Sequence, residues 1–123
     1  MGLTFPGTGM QVDKLWENKN TSDAFPEQKI PLDLSGYDAV LVTCSLRNAY
    51  GQRRTELIMN DGSSQCPFRV FSSGDLLPGG VRDIAPKPDG VQFYSAYYYA
   101  WDTQKYILDN SAIMPISIYG VRF

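Results

Sequence analysis

The chain has 123 residues, of which 43% are hydrophobic and 20% are charged, and its formal net charge is −2. These values are ordinary for one globular domain, and they leave no basic surface of the kind that binds nucleic acid. The chain has no histidine and only two cysteines, so it lacks the commonest general base and the ligands of an ordinary zinc site. The lack of an 18-residue apolar run excludes a membrane-spanning helix.

Residues 1–12 are predicted to form an extended arm ahead of a single domain that spans residues 13–123. Leu3 and Phe5 are the apolar residues of an otherwise unpatterned segment, and Pro6 favours an extended backbone at the residue before it. Such an arm can insert its side chains into a neighbouring molecule or add to the edge of a sheet. We therefore predict that Leu3 and Phe5 are assembly contacts.

The first half of the domain reads as a series of strands separated by turns. The predicted strands are residues 13–17, 29–34, 37–47 and 53–59. In residues 37–47, the two-residue period of a strand places Val40, Val42, Cys44 and Leu46 on one face, which is predicted to be buried. The turn signal of residues 60–62, Asn-Asp-Gly, follows the fourth strand.

The second half continues in the same way, with one segment that could accept a short helix. The predicted strands are residues 67–72, 81–85, 90–99 and 113–123, and the helix candidate is 101–110. Pro115 is expected at the start of the last strand or on an edge, so that pairing begins near Ile116. Gly120 is expected at a bulge or at a close approach of another backbone. The pattern predicts an all-β, antiparallel β-sandwich, jelly-roll-like, with an extended N-terminal arm.

Aromatic residues are concentrated in the strand at 90–99 and just after it. Regular alternation would place Phe93, Tyr97 and Tyr99 on one face and Tyr94 and Tyr98 on the other. One face can then be core, while the other stacks on sugar rings, packs against another subunit or is simply exposed. The candidate binding residues are Tyr94, Tyr97, Tyr98, Tyr99 and Trp101. Tyrosines on both faces also predict a homo-oligomer, for which we expect a trimer.

The sequence contains no pattern that indicates catalysis. Its carboxylates show no spacing that singles out a pair for glycoside hydrolysis, and most of them lie in turn-like contexts. We expect a protein that is not an enzyme and has no cofactor and no metal site. Cys44 and Cys66 are expected to be free thiols, although one disulfide would form if the fold brought them together.

Several segments at both ends of the chain resemble small structural proteins from the tail modules of phages and prophages of Gram-positive bacteria. They cover about half the chain. They are Leu3–Gly9, Lys14–Asn18, Thr21–Phe25, Leu32–Leu41, Gly90–Phe93 and Met114–Arg122. The resemblance implies a virion component with a β-sandwich fold, commonly trimeric and often associated with the tail tip or fibres, and it carries no catalytic motif.

The first functional hypothesis is thus a non-enzymatic phage virion protein, such as a tail, fibre or host-adhesion module. It would be assembled in the bacterial cytoplasm, and its partners would be other virion proteins and a glycan of the host cell surface, but neither nucleic acid nor a membrane interior. A second hypothesis is a capsid decoration or head-fibre protein. A third is a free carbohydrate-binding module or a small glycan hydrolase.

Overall fold

The computed structural model describes residues 2–4, 9–46, 52–62, 64–71, 78–100 and 102–123, with the backbone alone for residues 2–4, 68–71 and 78–79. Within these residues the chain forms ten strands and no helix. The strands are β1 Gly2–Thr4, β2 Gln11–Glu17, β3 Gln28–Pro31, β4 Ala39–Leu46, β5 Gln52–Met59, β6 Cys66–Phe71, β7 Pro78–Lys87, β8 Gly90–Ala100, β9 Lys105–Leu108 and β10 Ile113–Arg122. No helix among the described residues could therefore serve as a membrane span.

The strands form two antiparallel sheets that pack against each other. Sheet A has the order β1-β2-β10-β4-β5, and sheet B has the order β3-β8-β7-β6, with β9 also paired to β8. The all-β sandwich that the sequence predicts is confirmed, and the jelly-roll connectivity stays a prediction. The segment that could accept a short helix contains β9, and residues 102–110 form no helix.

The core lies between the sheets and follows the alternation predicted for β4. Val40, Val42 and Cys44 are fully buried, and Leu46 is nearly so. They pack with Ile84 and other apolar residues of sheet B in one continuous cluster. Burying such side chains contributes roughly 1.5–3 kcal/mol each relative to leaving them exposed, so this inner face of β4 is a main source of stability.

Strand β10 occupies the centre of sheet A, between β2 and β4. Its pairing with β4 begins at Ile113, earlier than the expected start near Ile116. Pro115 is tolerated for two reasons. The pairing of β10 with β2 begins only at Ser117, so Pro115 has a neighbouring strand on one side only. A register shift in the pairing with β4 also follows Pro115 directly. Gly120 lies against a side chain and not against the expected backbone, since a Cβ atom there would lie 2.6 Å from Cδ1 of Tyr37 and its three nearest atoms all belong to that ring. The register shift in the pairing with β2 lies nearby, between Ile118 and Tyr119.

The segment predicted to be an arm includes two strands. Leu3 lies opposite Val12 in the antiparallel pair that β1 makes with β2, and β2 begins at Gln11, before the proposed boundary at residue 12. Phe5 lies outside the described residues. The backbone of residues 2–4 is thus the edge of sheet A, and the assembly role of the segment stays a prediction.

Candidate functional site

Strand β8 carries a bulge that decides where its tyrosines point. In the pairing with β7, Ala96 lies opposite Arg82 and Phe93 lies opposite Ile84. Tyr94 and Ser95 therefore share the single position opposite Asp83, which is the arrangement of a β-bulge. One additional residue reverses the alternation of every side chain that follows it. Phe93 is fully buried, whereas Tyr97 is 41% exposed.

The predicted grouping of Phe93 with Tyr97 and Tyr99 is consequently wrong. Phe93 faces the core, where its ring contacts those of Trp16 and Phe25. Tyr97 and Tyr99 lie on the outer face of sheet B. Tyr98, in contrast, lies opposite Gly80 on the inner side of the sheet. The prediction from regular alternation was wrong because a period of two does not show where an extra residue is inserted in the strand.

Arg82 holds this bulge from inside the sandwich. Its side chain is fully buried, and four hydrogen bonds link its guanidinium to backbone carbonyl oxygens. They go to Ile113 from Nε at 2.9 Å, to Tyr94 from Nη1 at 2.6 Å, and to Phe25 and Asn110 from Nη2 at 2.8 and 3.1 Å. Because these acceptors lie in three separate segments, Arg82 joins the bulge to the loop before β3 and to the stretch that leads into β10.

The charge of Arg82 is balanced by carbonyl dipoles, since none of the ion pairs among the described residues includes it. Burial lowers its pKa to about 10, which still leaves the guanidinium protonated at neutral pH. A buried cation needs hydrogen-bond partners for most of its donors, and four of the five N–H groups are used here. The sequence analysis did not single out this residue, because nothing in a lone arginine on a strand distinguishes it from an exposed one.

The outer face of sheet B contains a groove beside the bulge. A cavity of about 230 Å³ lies between Tyr94 and Tyr97, with the polar side chains of Glu27, Gln65 and Asp83 around it. It adjoins a shallower hollow of about 430 Å³ that shares Asp83 and Tyr97 and adds Tyr106. We call the two together the outer groove.

The polar residues of the outer groove are positioned by neighbours in the fold. Gln65, which directly precedes β6, donates from Nε2 to Oδ2 of Asp83 at 3.0 Å. Tyr106 of β9 packs edge-to-face against Tyr99 with the ring centroids 5.2 Å apart. Neither Glu27 nor Asp83 forms an ion pair with any described residue. Their carboxylate oxygens can therefore accept hydrogen bonds from a ligand.

Tyrosine rings beside carboxylate and amide groups suit a ligand that has both an apolar face and hydroxyl groups. A ring can stack on the C–H face of a sugar, while Asp83 and Gln65 accept from and donate to its hydroxyls. This chemistry requires neither a nucleophile nor a metal. Among the described residues no group of three His, Cys, Asp or Glu side chains could hold a metal ion.

Two of the five predicted binding residues, Tyr94 and Tyr97, line the outer groove. Tyr99 supports it through Tyr106, Tyr98 lies on the other side of the sheet, and Trp101 lies outside the described residues. Glu27, Gln65 and Asp83 were not predicted to belong to one site. They are brought together only by the pairing of β6, β7 and β8 and by the loop before β3, and no sequence spacing relates them.

The two cysteines are free thiols, as expected from the sequence. Burial raises the pKa of both Cys44 and Cys66 above the ordinary range. A thiol with a raised pKa is a weak nucleophile, because the thiolate is the reactive form. Neither residue belongs to the outer groove.

Comparison with known proteins returns no relative of this chain. No protein-family model matches it, and no curated protein and no solved structure shows significant similarity to it.

Proposed function

We propose that this protein is a non-enzymatic adhesion module that binds a glycan in the outer groove. The observation that carries the proposal is the bulge of β8, which brings Tyr97 to the outer face that Tyr94 and Asp83 already occupy. The resulting surface combines aromatic faces with hydrogen-bonding groups in one cavity, as saccharide recognition requires.

The proposed setting is a phage virion, as a tail, fibre or host-adhesion component. This part rests on the resemblance of both ends of the chain to phage tail-module proteins. A module that attaches a particle to a bacterial surface needs a stable β-domain and a binding groove, and it needs no catalytic group. A capsid decoration or head-fibre role would use the same domain at another place on the particle, and a free carbohydrate-binding module would use the same groove without a particle.

Binding is tested by titrating the purified protein with soluble cell-wall oligosaccharides and recording NMR shifts or calorimetric heats. Tyr97→Ala removes an exposed ring from the groove, and we expect it to weaken binding about tenfold, which corresponds to roughly 1.4 kcal/mol. The matched control is Leu57→Ala, since Leu57 is 49% exposed on the other sheet. Equal affinity of the two variants, or no binding by the parent protein to any wall glycan, would refute the groove as the site.

A second candidate function is glycan hydrolysis, because Glu27 and Asp83 are two carboxylates in the same cavity. Glycosidases use such a pair as acid and base or nucleophile. Incubation of the protein with the bound oligosaccharide, followed by mass spectrometry, separates the two functions. An intact oligosaccharide supports adhesion, whereas cleavage that Asp83→Asn abolishes would show a hydrolase.

The place in the particle is tested separately. Electron microscopy of virions labelled with an antibody against the domain distinguishes tail, head and no association. Label at the tail tip or fibres agrees with the proposal. Label on the head selects the decoration role, and unlabelled particles from a strain that expresses the protein would exclude a virion component.

A further inference from the structure

Strand β5 forms an open edge of sheet A. It has eight residues and only β4 beside it within the described part of the chain. Six of these eight residues are exposed. The other edge strands are shorter, with three residues in β1, four in β3 and β9, and six in β6. An edge strand presents unpaired N–H and C=O groups that can pair with another chain.

The two faces of β5 differ in chemistry. Arg54 and Glu56 lie on the inner face, opposite Cys44 and Val42 of β4, and they form an ion pair of 2.6 Å. Thr55 lies on the outer face and shares a 2.7 Å hydrogen bond with Thr43. Charged residues that point inward at an edge discourage pairing with unrelated strands. They permit pairing with a strand whose charges are complementary. Such charges therefore select one partner strand over others.

We propose that β5 pairs with β5 of a second copy of this chain, antiparallel, about a two-fold axis at Thr55. Residues that lie opposite each other across an antiparallel pair have their side chains on the same face of the sheet. An axis between two residues would pair each residue with one from the other face, so the axis must pass through a residue. An axis at Thr55 places Arg54 opposite Glu56 of the partner subunit, and the symmetry repeats the pair. The result is two cross-strand pairs of opposite charge.

The other registers are less favourable. An axis at Arg53, Arg54 or Glu56 places that residue opposite its own copy and brings like charges together, which destabilises a cross-strand pair. An axis at Leu57 avoids like charges, but it shortens the ladder and leaves both Arg54 and Glu56 without an oppositely charged residue across the pair. An axis at Thr55 keeps residues 52–58 in the pair, which allows roughly six to eight hydrogen bonds between the copies.

The proposed contact is isologous, and it joins two copies of sheet A into one continuous sheet. By itself it yields a dimer, whereas the tyrosine content of the sequence led us to expect a trimer. The outer groove lies on sheet B, so both copies keep it open. The dimer would then present two glycan sites, but the contact does not depend on what the groove binds.

The test is a charge reversal with its rescue, measured by sedimentation equilibrium at micromolar protein concentration. Arg54→Glu places two carboxylates opposite each other at two positions, and we expect dissociation into monomers, with a dimer constant at least about tenfold weaker. The double variant Arg54→Glu with Glu56→Arg restores opposite charges in the reversed order and should restore the dimer. A parent protein that is monomeric, or a dimer that Arg54→Glu leaves unchanged, would overturn the proposal.

A second variant covers the case in which the charge reversal affects folding. Thr55→Cys places two thiols on the axis, so oxidation should give a covalent dimer in non-reducing electrophoresis. Arg53→Cys lies on the same outer face, two residues from the axis, and faces Leu57 of the partner subunit. This variant should therefore give no covalent dimer. The parent protein, which retains Cys44 and Cys66, provides the background. Cross-linking that is equal for the two variants would contradict the register.

Discussion

The guanidinium of Arg82 donates a 2.6 Å hydrogen bond to the backbone carbonyl oxygen of Tyr94, at the bulge of β8. A residue of the sandwich interior thereby fixes the backbone whose side chains line the outer groove. Stability and the shape of the outer groove are coupled at this point, because the same bond that satisfies a buried donor also holds the bulge that brings Tyr97 to the outer face beside Tyr94.

Replacement of Arg82 by Met should destabilise the domain and loosen the bulge of β8 that shapes the outer groove. The apolar side chain relieves the cost of burying a charge, but it leaves four carbonyl oxygens without their donor, and each buried unsatisfied group costs about 1–3 kcal/mol. We expect a net loss of about 3 kcal/mol in the free energy of unfolding, measured by urea denaturation. Lys105→Met, at an exposed position of β9, is the control and should change stability by less than about 0.5 kcal/mol. Similar midpoints for the two variants would contradict the assigned role of Arg82.

Replacement of Gly120 by Ala should destabilise the end of the sandwich through a clash. The new Cβ atom would lie 2.6–2.8 Å from three ring atoms of Tyr37, and the guanidinium of Arg122 already stacks on that ring, 4.5 Å from its centroid. Overpacking of this kind costs about 1–3 kcal/mol. In a Tyr37→Ala background the ring is absent, so the same glycine substitution should cost much less. Thermal melting of the four proteins of this double-mutant cycle measures the coupling, and purely additive effects would contradict the contact.

Asp13 should contribute to the loss of stability in acid. Its carboxylate accepts hydrogen bonds from Tyr37 Oη at 2.7 Å and from Gln11 Nε2, and these bonds lower its pKa from the ordinary value of 3.8. A carboxyl group with a lowered folded-state pKa stabilises the fold above the unfolded-state pKa, and this contribution disappears as the pH falls through the folded-state value. The melting temperatures of the parent and of Asp13→Asn should therefore differ at pH 7 and converge as the pH falls below 3.8 and through the lowered folded-state pKa. A difference that stays constant with pH would contradict the prediction.

The central position of β10 makes its side chains sensitive to truncation. Ile118 is fully buried between β2 and β4 in sheet A, and Ile118→Ala should cost roughly 2–5 kcal/mol. Ile107→Ala on β9, where the side chain is 38% exposed, should cost less than about 1 kcal/mol. Deletion of residues 116–123 should prevent folding, because β2 and β4 would lose the strand between them. Cooperative melting of the truncated protein near the parental temperature would show that β10 is dispensable.

Deletion of residues 1–10 should leave the fold intact. The strand β1 contributes three residue pairs at the edge of sheet A, and the main core cluster contains none of the described residues before Leu15. If the segment is an assembly element, particles should no longer incorporate the shortened protein. Melting and incorporation are measured on the same preparation, and normal incorporation would refute the assembly role.

Most strand locations, with the exception of β1 and β9, could be predicted from the sequence, because the pattern that favours a strand is local. The alternation in residues 37–47 and the turn signal at residues 60–62 each depend on neighbours a few positions apart, and the structure places β4 and the end of β5 accordingly. The inner face of β4 could be assigned for the same reason, since the period of two is uninterrupted there.

The face on which each tyrosine of β8 lies was decided only by the tertiary structure. The bulge at Tyr94 depends on Arg82, whose other acceptors include the carbonyl oxygens of Phe25 and Ile113, and these lie far away along the chain. The outer groove likewise joins residues from the loop before β3, the residue before β6, and β7, β8 and β9. A hydrogen bond between distant segments does not change the pattern of apolar and polar residues in either segment. Regular alternation therefore predicted Tyr97 on the same face as Phe93, whereas the structure places Tyr97 on the opposite face.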